Sequence, residues 1–118
     1  VHGNKVLPVR EFSEKVISEQ ADAVITDLAD QPTGVFSADC LPILIYSARV
    51  CAAVHAGWRS TRQNIAASAV QTFSSVYGES ADRLKAYIGP CIGQCCLEMG
   101  DEVYDEFVGE DPEYARFF

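Results

Sequence analysis

Five cysteines and two histidines make up this chain's stock of thiol and imidazole side chains, the groups that bind zinc most readily or act as nucleophile and base near neutral pH. Cys40 and His55 bracket two apolar runs, Leu41 to Tyr46 and Val50 to His55, joined by Ser47-Ala48-Arg49. That pattern reads as a β-hairpin with both strands largely buried. In an antiparallel pair the start of one strand lies beside the end of the other, so Cys40 and His55 are predicted to meet at one open end of the sheet. A thiolate and an imidazole placed together either bind zinc or form a nucleophile–base pair. The plainer alternative for Cys40 is a small buried hydrophobe. Asp39 favours chemistry, because a carboxylate in a buried stretch needs a partner. Cys40, His55 and Asp39 are therefore the candidate catalytic residues. His2, in the turn His2-Gly3-Asn4, is the only other histidine. Alone it reads as solvated. Joined to Cys40 and His55 it completes a three-ligand metal set with a fourth position open, as catalytic zinc requires. Such an ion lowers the pKa of bound water toward neutrality.

Directly after His55, the segment Gly57-Trp58-Arg59-Ser60 leads from a strand toward a helix. Unsatisfied N–H groups at a helix start and the planar fork of Arg59 invite an anion, most simply phosphate. Gly57, Trp58 and Arg59 are thus the candidate phosphate- and substrate-binding residues, with Trp58 as core or as a flat wall for a planar ligand. The loop from Gly89 to Cys96 holds Cys91, Cys95 and Cys96, a Cys-x3-Cys-Cys spacing that matches no zinc-ribbon or iron–sulfur pattern. Tight turns with small packing thiols are the simpler reading there. Asp101, Glu102, Asp105 and Glu106 read as a solvated acidic face.

The elements that must position these residues are mixed. Lys5 to Arg10 reads as a short strand that Pro8 pushes to a sheet edge. Glu11 to Gln20 is a loop or a short helix. Ala23 to Thr26 is a strand; Asp30 to Gly34 carries turn chemistry; Val35-Phe36-Ser37 starts another strand. A helix capped by Ser60 or Thr61 follows, with Ile65, Ala69, Phe73 and Val76-Tyr77 at helical spacing and Gly78 at its C-terminal stop. Leu84 to Ile88 is a strand, and Asp101 to Val108 a last helix. Strands and helices without a regular βαβ alternation predict an α+β fold.

At 118 residues the length is that of one domain, spanning 1–118. A 48% hydrophobic and 22% charged composition excludes collagen, disordered and coiled-coil classes, and no apolar run reaches the length of a membrane span. A net charge of −8 argues against nucleic acid or an anionic membrane as the main partner. An odd cysteine count with two adjacent thiols suits a reducing cytoplasm better than a disulfide framework. The chain starts at Val1 and stops at Arg116-Phe117-Phe118. Both ends read as cut, which predicts a piece of a longer protein.

Together Val1-His2-Gly3, Ala38-Asp39-Cys40-Leu41-Pro42, Val54-His55-Ala56-Gly57-Trp58-Arg59 and Ile88-Gly89-Pro90-Cys91-Ile92-Gly93 resemble the laccase-domain or YfiH-like family. That family is also labelled multicopper polyphenol oxidase, and it includes purine nucleoside phosphorylases. The segments fall in family order over almost the whole chain. The resemblance implies a layered α/β sandwich with a mixed sheet, similar to a cysteine-hydrolase toxin domain. It implies zinc held by His2, Cys40 and His55. It further implies phosphorolysis of adenosine, inosine and guanosine to base and ribose 1-phosphate, with adenosine deamination and methylthioadenosine cleavage as companion activities. Purine nucleosides and phosphate are the implied partners. Ser60 departs from the family, which usually has Gly there. The oxidase label carries copper with it, yet two histidines cannot ligate a trinuclear copper site and a blue-copper centre. Two rivals stand beside this reading: a metal-free cysteine hydrolase or amidase using Cys40 and His55, and a redox-sensing module using Cys91, Cys95 and Cys96.

Overall fold

The site-bearing hairpin lies at the heart of a five-stranded mixed sheet. The computed structural model describes residues 2–118 and, at Ile17, the main chain; Val1 of the Val-His-Gly segment lies outside the described residues. The strands are β1 (Val6–Val9), β2 (Ala23–Thr26), β3 (Leu41–Tyr46), β4 (Cys51–Ala56) and β5 (Lys85–Ile88). Their spatial order is β1-β2-β4-β3-β5. The β1–β2 pair is parallel and the other pairs are antiparallel. Pro8 sits on an edge strand, where its missing N–H costs no ladder bond. The helices are α1 (Glu14–Ser18), α2 (Trp58–Arg62), α3 (Ile65–Tyr77) and α4 (Asp101–Glu110), with 3-10 turns at Ala81–Arg83 and Pro112–Phe117. The architecture is α+β. No helix among the described residues is long and apolar enough to cross a membrane.

Helix α3 packs its Ile65, Ala69, Phe73 and Tyr77 stripe on Ala23 and Ile25 of β2 and on Ala52, Val54 and Ala56 of β4. Burying such side chains stabilises the fold by roughly 1.5–3 kcal/mol for each large one. The Tyr77 hydroxyl donates to the Ile25 carbonyl at 3.0 Å, which satisfies the one polar atom of that stripe. Gly78 ends the helix with a φ of 68°, a left-handed conformation that glycine adopts without a Cβ penalty.

Three expectations need correction. Val35-Phe36-Ser37 forms no strand; Phe36 is fully exposed, so no neighbouring strand holds it. The hairpin is buried unequally. Central β4 is covered on both faces, whereas Leu44 and Tyr46 of β3 face outward at 45% exposure. The helix after β4 is not capped by Ser60 or Thr61. It begins at Trp58, stops at Arg62, and restarts at Ile65 after Asn64 turns left-handed with a φ of 58°. The left-handed residue breaks the hydrogen-bond ladder that one continuous helix would need. Smaller shifts move the second hairpin strand to 51–56, the fifth strand to 85–88, and the last helix to 101–110.

Candidate metal centre

Strand register brings the first two site residues together. Leu41 pairs with Ala56 and Pro42 with His55, so Cys40, one residue before β3, lies across from Gly57, one residue after β4. The segment before β1 then swings His2 over the same end. Ligand-capable atoms of His2, Cys40 and His55 all lie within 4.8 Å of one another. Among the described residues this is the one cluster of three or more such groups. The two imidazole rings meet edge to face, their centroids 5.7 Å apart. Around a tetrahedral zinc with bonds of roughly 2.0–2.3 Å, ligand atoms stand roughly 3.3–3.8 Å apart.

Two further observations fit this donor set to a metal. The His55 Nε2 atom is buried and has no hydrogen-bond partner among the described residues. Buried polar atoms are costly when unpaired, and a metal ligand is one resolution of that cost. Gly57 supplies the second. A Cβ at that position would stand 3.1 Å from His2 Cδ2 and 3.2 Å from Cys40 Sγ, so glycine keeps the space between the ligands clear.

The trio sits beside an open groove of about 1070 Å³. Cys40, Asp39 and Trp58 line one side, and Tyr104, Phe107 and Phe118 line the other. Asp39 is exposed at this groove rather than enclosed in a buried stretch, because it precedes the strand instead of lying within it. Its carbonyl accepts from the Ile92 N–H at 3.0 Å, which ties the 89–92 loop to the cysteine loop. Trp58 is half-buried. The exposed Arg59 guanidinium stacks over its ring at 4.0 Å and makes no ion pair among the described residues. Ser60, the departure from the family, is fully buried and donates toward Asp22 at 3.5 Å. It therefore points away from the groove.

The groove has residues that composition did not flag. Arg62 pairs with Glu106 at 2.9 Å and Glu110 at 2.8 Å, docking α4 against α2. Glu106 is thus ion-paired while still lying on the exposed acidic face with Asp101, Glu102 and Asp105. Arg62 preceding an acidic helix was the available signal, but a separation of 44 residues to Glu106 and 48 to Glu110 does not reveal a pair. Asp22, 2% exposed, was also missed. A carboxylate directly against the apolar run Ala23-Val24-Ile25 was its signal. Cys91, Cys95 and Cys96 are exposed and do not belong to the trio, although Cys91 lines the same groove as Cys40. The Cys95 and Cys96 sulfurs lie 3.2 Å apart, and this hydrogen bond holds the Cys96 thiol above its usual range.

The chain matches a family model described as multi-copper polyphenol oxidoreductase laccase over residues 1–118. It is 40% identical over 99 residues to a purine nucleoside phosphorylase of Clostridium acetobutylicum, covering 82% of this chain and 42% of that protein. It is 41% identical over 91 residues to adenosine deaminase RL5 from an unknown prokaryotic organism, covering 75% of this chain and 34% of that one. Among solved structures, YlmD from Geobacillus stearothermophilus superposes with a TM-score of 0.75 at 27% identity, over 92% of this chain and 44% of YlmD. The chain thus spans less than half the length of each of these three relatives.

Proposed function

Because this chain belongs to the multi-copper polyphenol oxidoreductase laccase family, we propose that it forms the zinc-binding part of an enzyme that cleaves purine nucleosides with phosphate and also deaminates adenosine. The convergence of His2, Cys40 and His55 around Gly57 carries this reading. The names of its phosphorylase and deaminase relatives support the substrate class.

A zinc ion held by these three side chains would supply a water that is deprotonated near neutral pH. The protein's own residues do the rest. Trp58 and the aromatics across the groove offer flat apolar faces to a purine. Arg59, uncommitted to any carboxylate among the described residues, holds phosphate near the sugar. In phosphorolysis a phosphate oxygen bonds to the anomeric carbon while the bond from that carbon to the purine breaks, its electron pair leaving with the base. Positive charge that develops on the sugar is balanced by the bound phosphate. Asp39, at the groove beside Cys40, holds the proton that passes between phosphate and purine.

The test is incubation of the full chain with adenosine, with and without phosphate, separating adenine from inosine and measuring bound zinc. Adenine should require phosphate; inosine should not. Cys40→Ala should lose stoichiometric zinc and cut both products by about 100-fold or more, beyond the cost of losing an outer partner. Arg59→Ala should depress adenine formation more than inosine formation. Turnover that survives a strong chelator but is abolished by alkylating Cys40 would instead establish the metal-free cysteine hydrolase.

A further inference from the structure

We propose that Asp22 is the positioning residue of the metal centre, a single buried carboxylate residue that anchors two of the three ligand-bearing segments. This assignment rests on reading His2, Cys40 and His55 as a metal site. Asp22 lies at the entrance to β2 and is 2% exposed. Its Oδ1 accepts from the Gly3 N–H at 2.9 Å, and its Oδ2 accepts from the Lys5 N–H at 3.4 Å. The Asp22 and Ala23 N–H groups both return to the Lys5 carbonyl, at 2.9 and 3.1 Å. The segment that carries His2 is therefore clamped at residues 3 and 5, before β1 begins at Val6. On its other side the Asp22 carbonyl accepts from the His55 N–H at 2.8 Å. The Ser60 hydroxyl approaches Oδ1 at 3.5 Å and adds helix α2 to the same anchor.

None of these bonds touches a ligand side chain, so Asp22 acts through the backbone. Its work is entropic. His2 itself is exposed, and the other side-chain bonds of this segment are a 3.5 Å contact from Asn4 to the Gln63 carbonyl and the exposed Lys5–Glu19 ion pair at 2.7 Å, neither of which reaches residues 2 and 3. Without the Asp22 carboxylate the main-chain bonds to the Lys5 carbonyl remain, but Gly3 loses its 2.9 Å anchor, and the backbone freedom regained at residues 2 and 3 must be lost again when the metal binds, which lowers affinity. Space is tight as well: a Cβ on Gly3 would stand 3.3 Å from Oδ2.

The experiment compares the full chain with Asp22→Ala, Asp22→Asn and Glu79→Gln. Zinc affinity is read by competition with a chromophoric chelator, ligand geometry by the visible spectrum of the cobalt-substituted protein, and folding by Tm. Glu79 is the control: it is also buried and bonded, to Arg49 at 2.7 Å, but lies away from the site. Asp22→Ala is expected to weaken zinc about 10- to 100-fold and to change the cobalt spectrum. Asp22→Asn keeps an oxygen for the Gly3 N–H and should lose less. Glu79→Gln should lower Tm with zinc affinity within about twofold of the parent. If Asp22→Ala does not fold, Asp22→Asn and Gly3→Ala carry the comparison. A parent chain that binds zinc while the Asp22 variants match it within twofold overturns this assignment alone, as does an equal loss in Glu79→Gln. A parent chain that binds no zinc overturns the metal centre itself.

Discussion

Gly57 shows how much one absent side chain decides. Its φ of −75° and ψ of 170° suit any residue, so no backbone demand selects glycine there. The selection comes from His2 and Cys40, which occupy the space a Cβ would need. Gly57→Ala should therefore weaken zinc binding by about tenfold, as loss of a ligand's supporting contact does, while Tm barely moves. Chelator competition alongside a thermal melt checks this; unchanged affinity would mean the ligands yield freely. At this scale the sequence was informative about residue types. Cys40, His55 and His2 were legible as a candidate ligand set, since they include both histidines of the chain, and the structure brings their side chains together. Asp39 was placed on the wrong premise, because it stands two residues before β3 and is already outside the buried sheet.

Among the elements, the β3–β4 hairpin was legible because two apolar runs flank a short polar turn. Its unequal burial was not, because alternation disappears when every residue is apolar. Helix α3 was read from its stripe, but the break at Asn64 was hidden. Asparagine tolerates the left-handed region without demanding it. Tyr77 closes this helix onto the sheet, and burial, reinforced by the charge of Asp27, pushes its phenol above the ordinary value. The folded chain thus holds this proton more tightly than the unfolded one does. The associated stability is complete below about pH 10 and is lost as pH rises through the folded value. Tyr77→Phe should cost about 1 kcal/mol at neutral pH for the lost hydrogen bond, yet show a shallower fall of Tm above pH 10. Parallel alkaline melting curves for the two proteins would dismiss the linkage.

On the scale of the whole molecule, the groove joins residues that are far apart in the chain. Cys40 and Trp58 share this groove with Tyr104, Phe107 and Phe118 of the C-terminal segment, whose helix α4 buries Val103 and is paired to Arg62 through Glu106 and Glu110. Phe107 and Phe118 pack with ring centroids 5.9 Å apart, and Tyr104 meets Phe118 edge to face at 5.4 Å. Trp58 is the only tryptophan, so its fluorescence reports on this groove without competition. Adenosine should quench it saturably, and Arg62→Ala, by releasing α4, should raise the concentration needed by about tenfold, the effect of about 1.4 kcal/mol. A titration with no change in emission would remove the purine from this groove.

Taken by itself, the amino-acid sequence determined the chemical inventory and the local periodicities: which side chains ligate, which stretches alternate, where glycine stops a helix. Those properties depend on residue type and on neighbours a few positions away. Only the tertiary structure decided that His2 reaches Cys40 and His55, that Asp22 clamps the backbone beneath them, and that an acidic helix closes a groove. Such contacts join positions tens of residues apart, and their partners are chosen by strand order, register and packing rather than by any spacing along the chain.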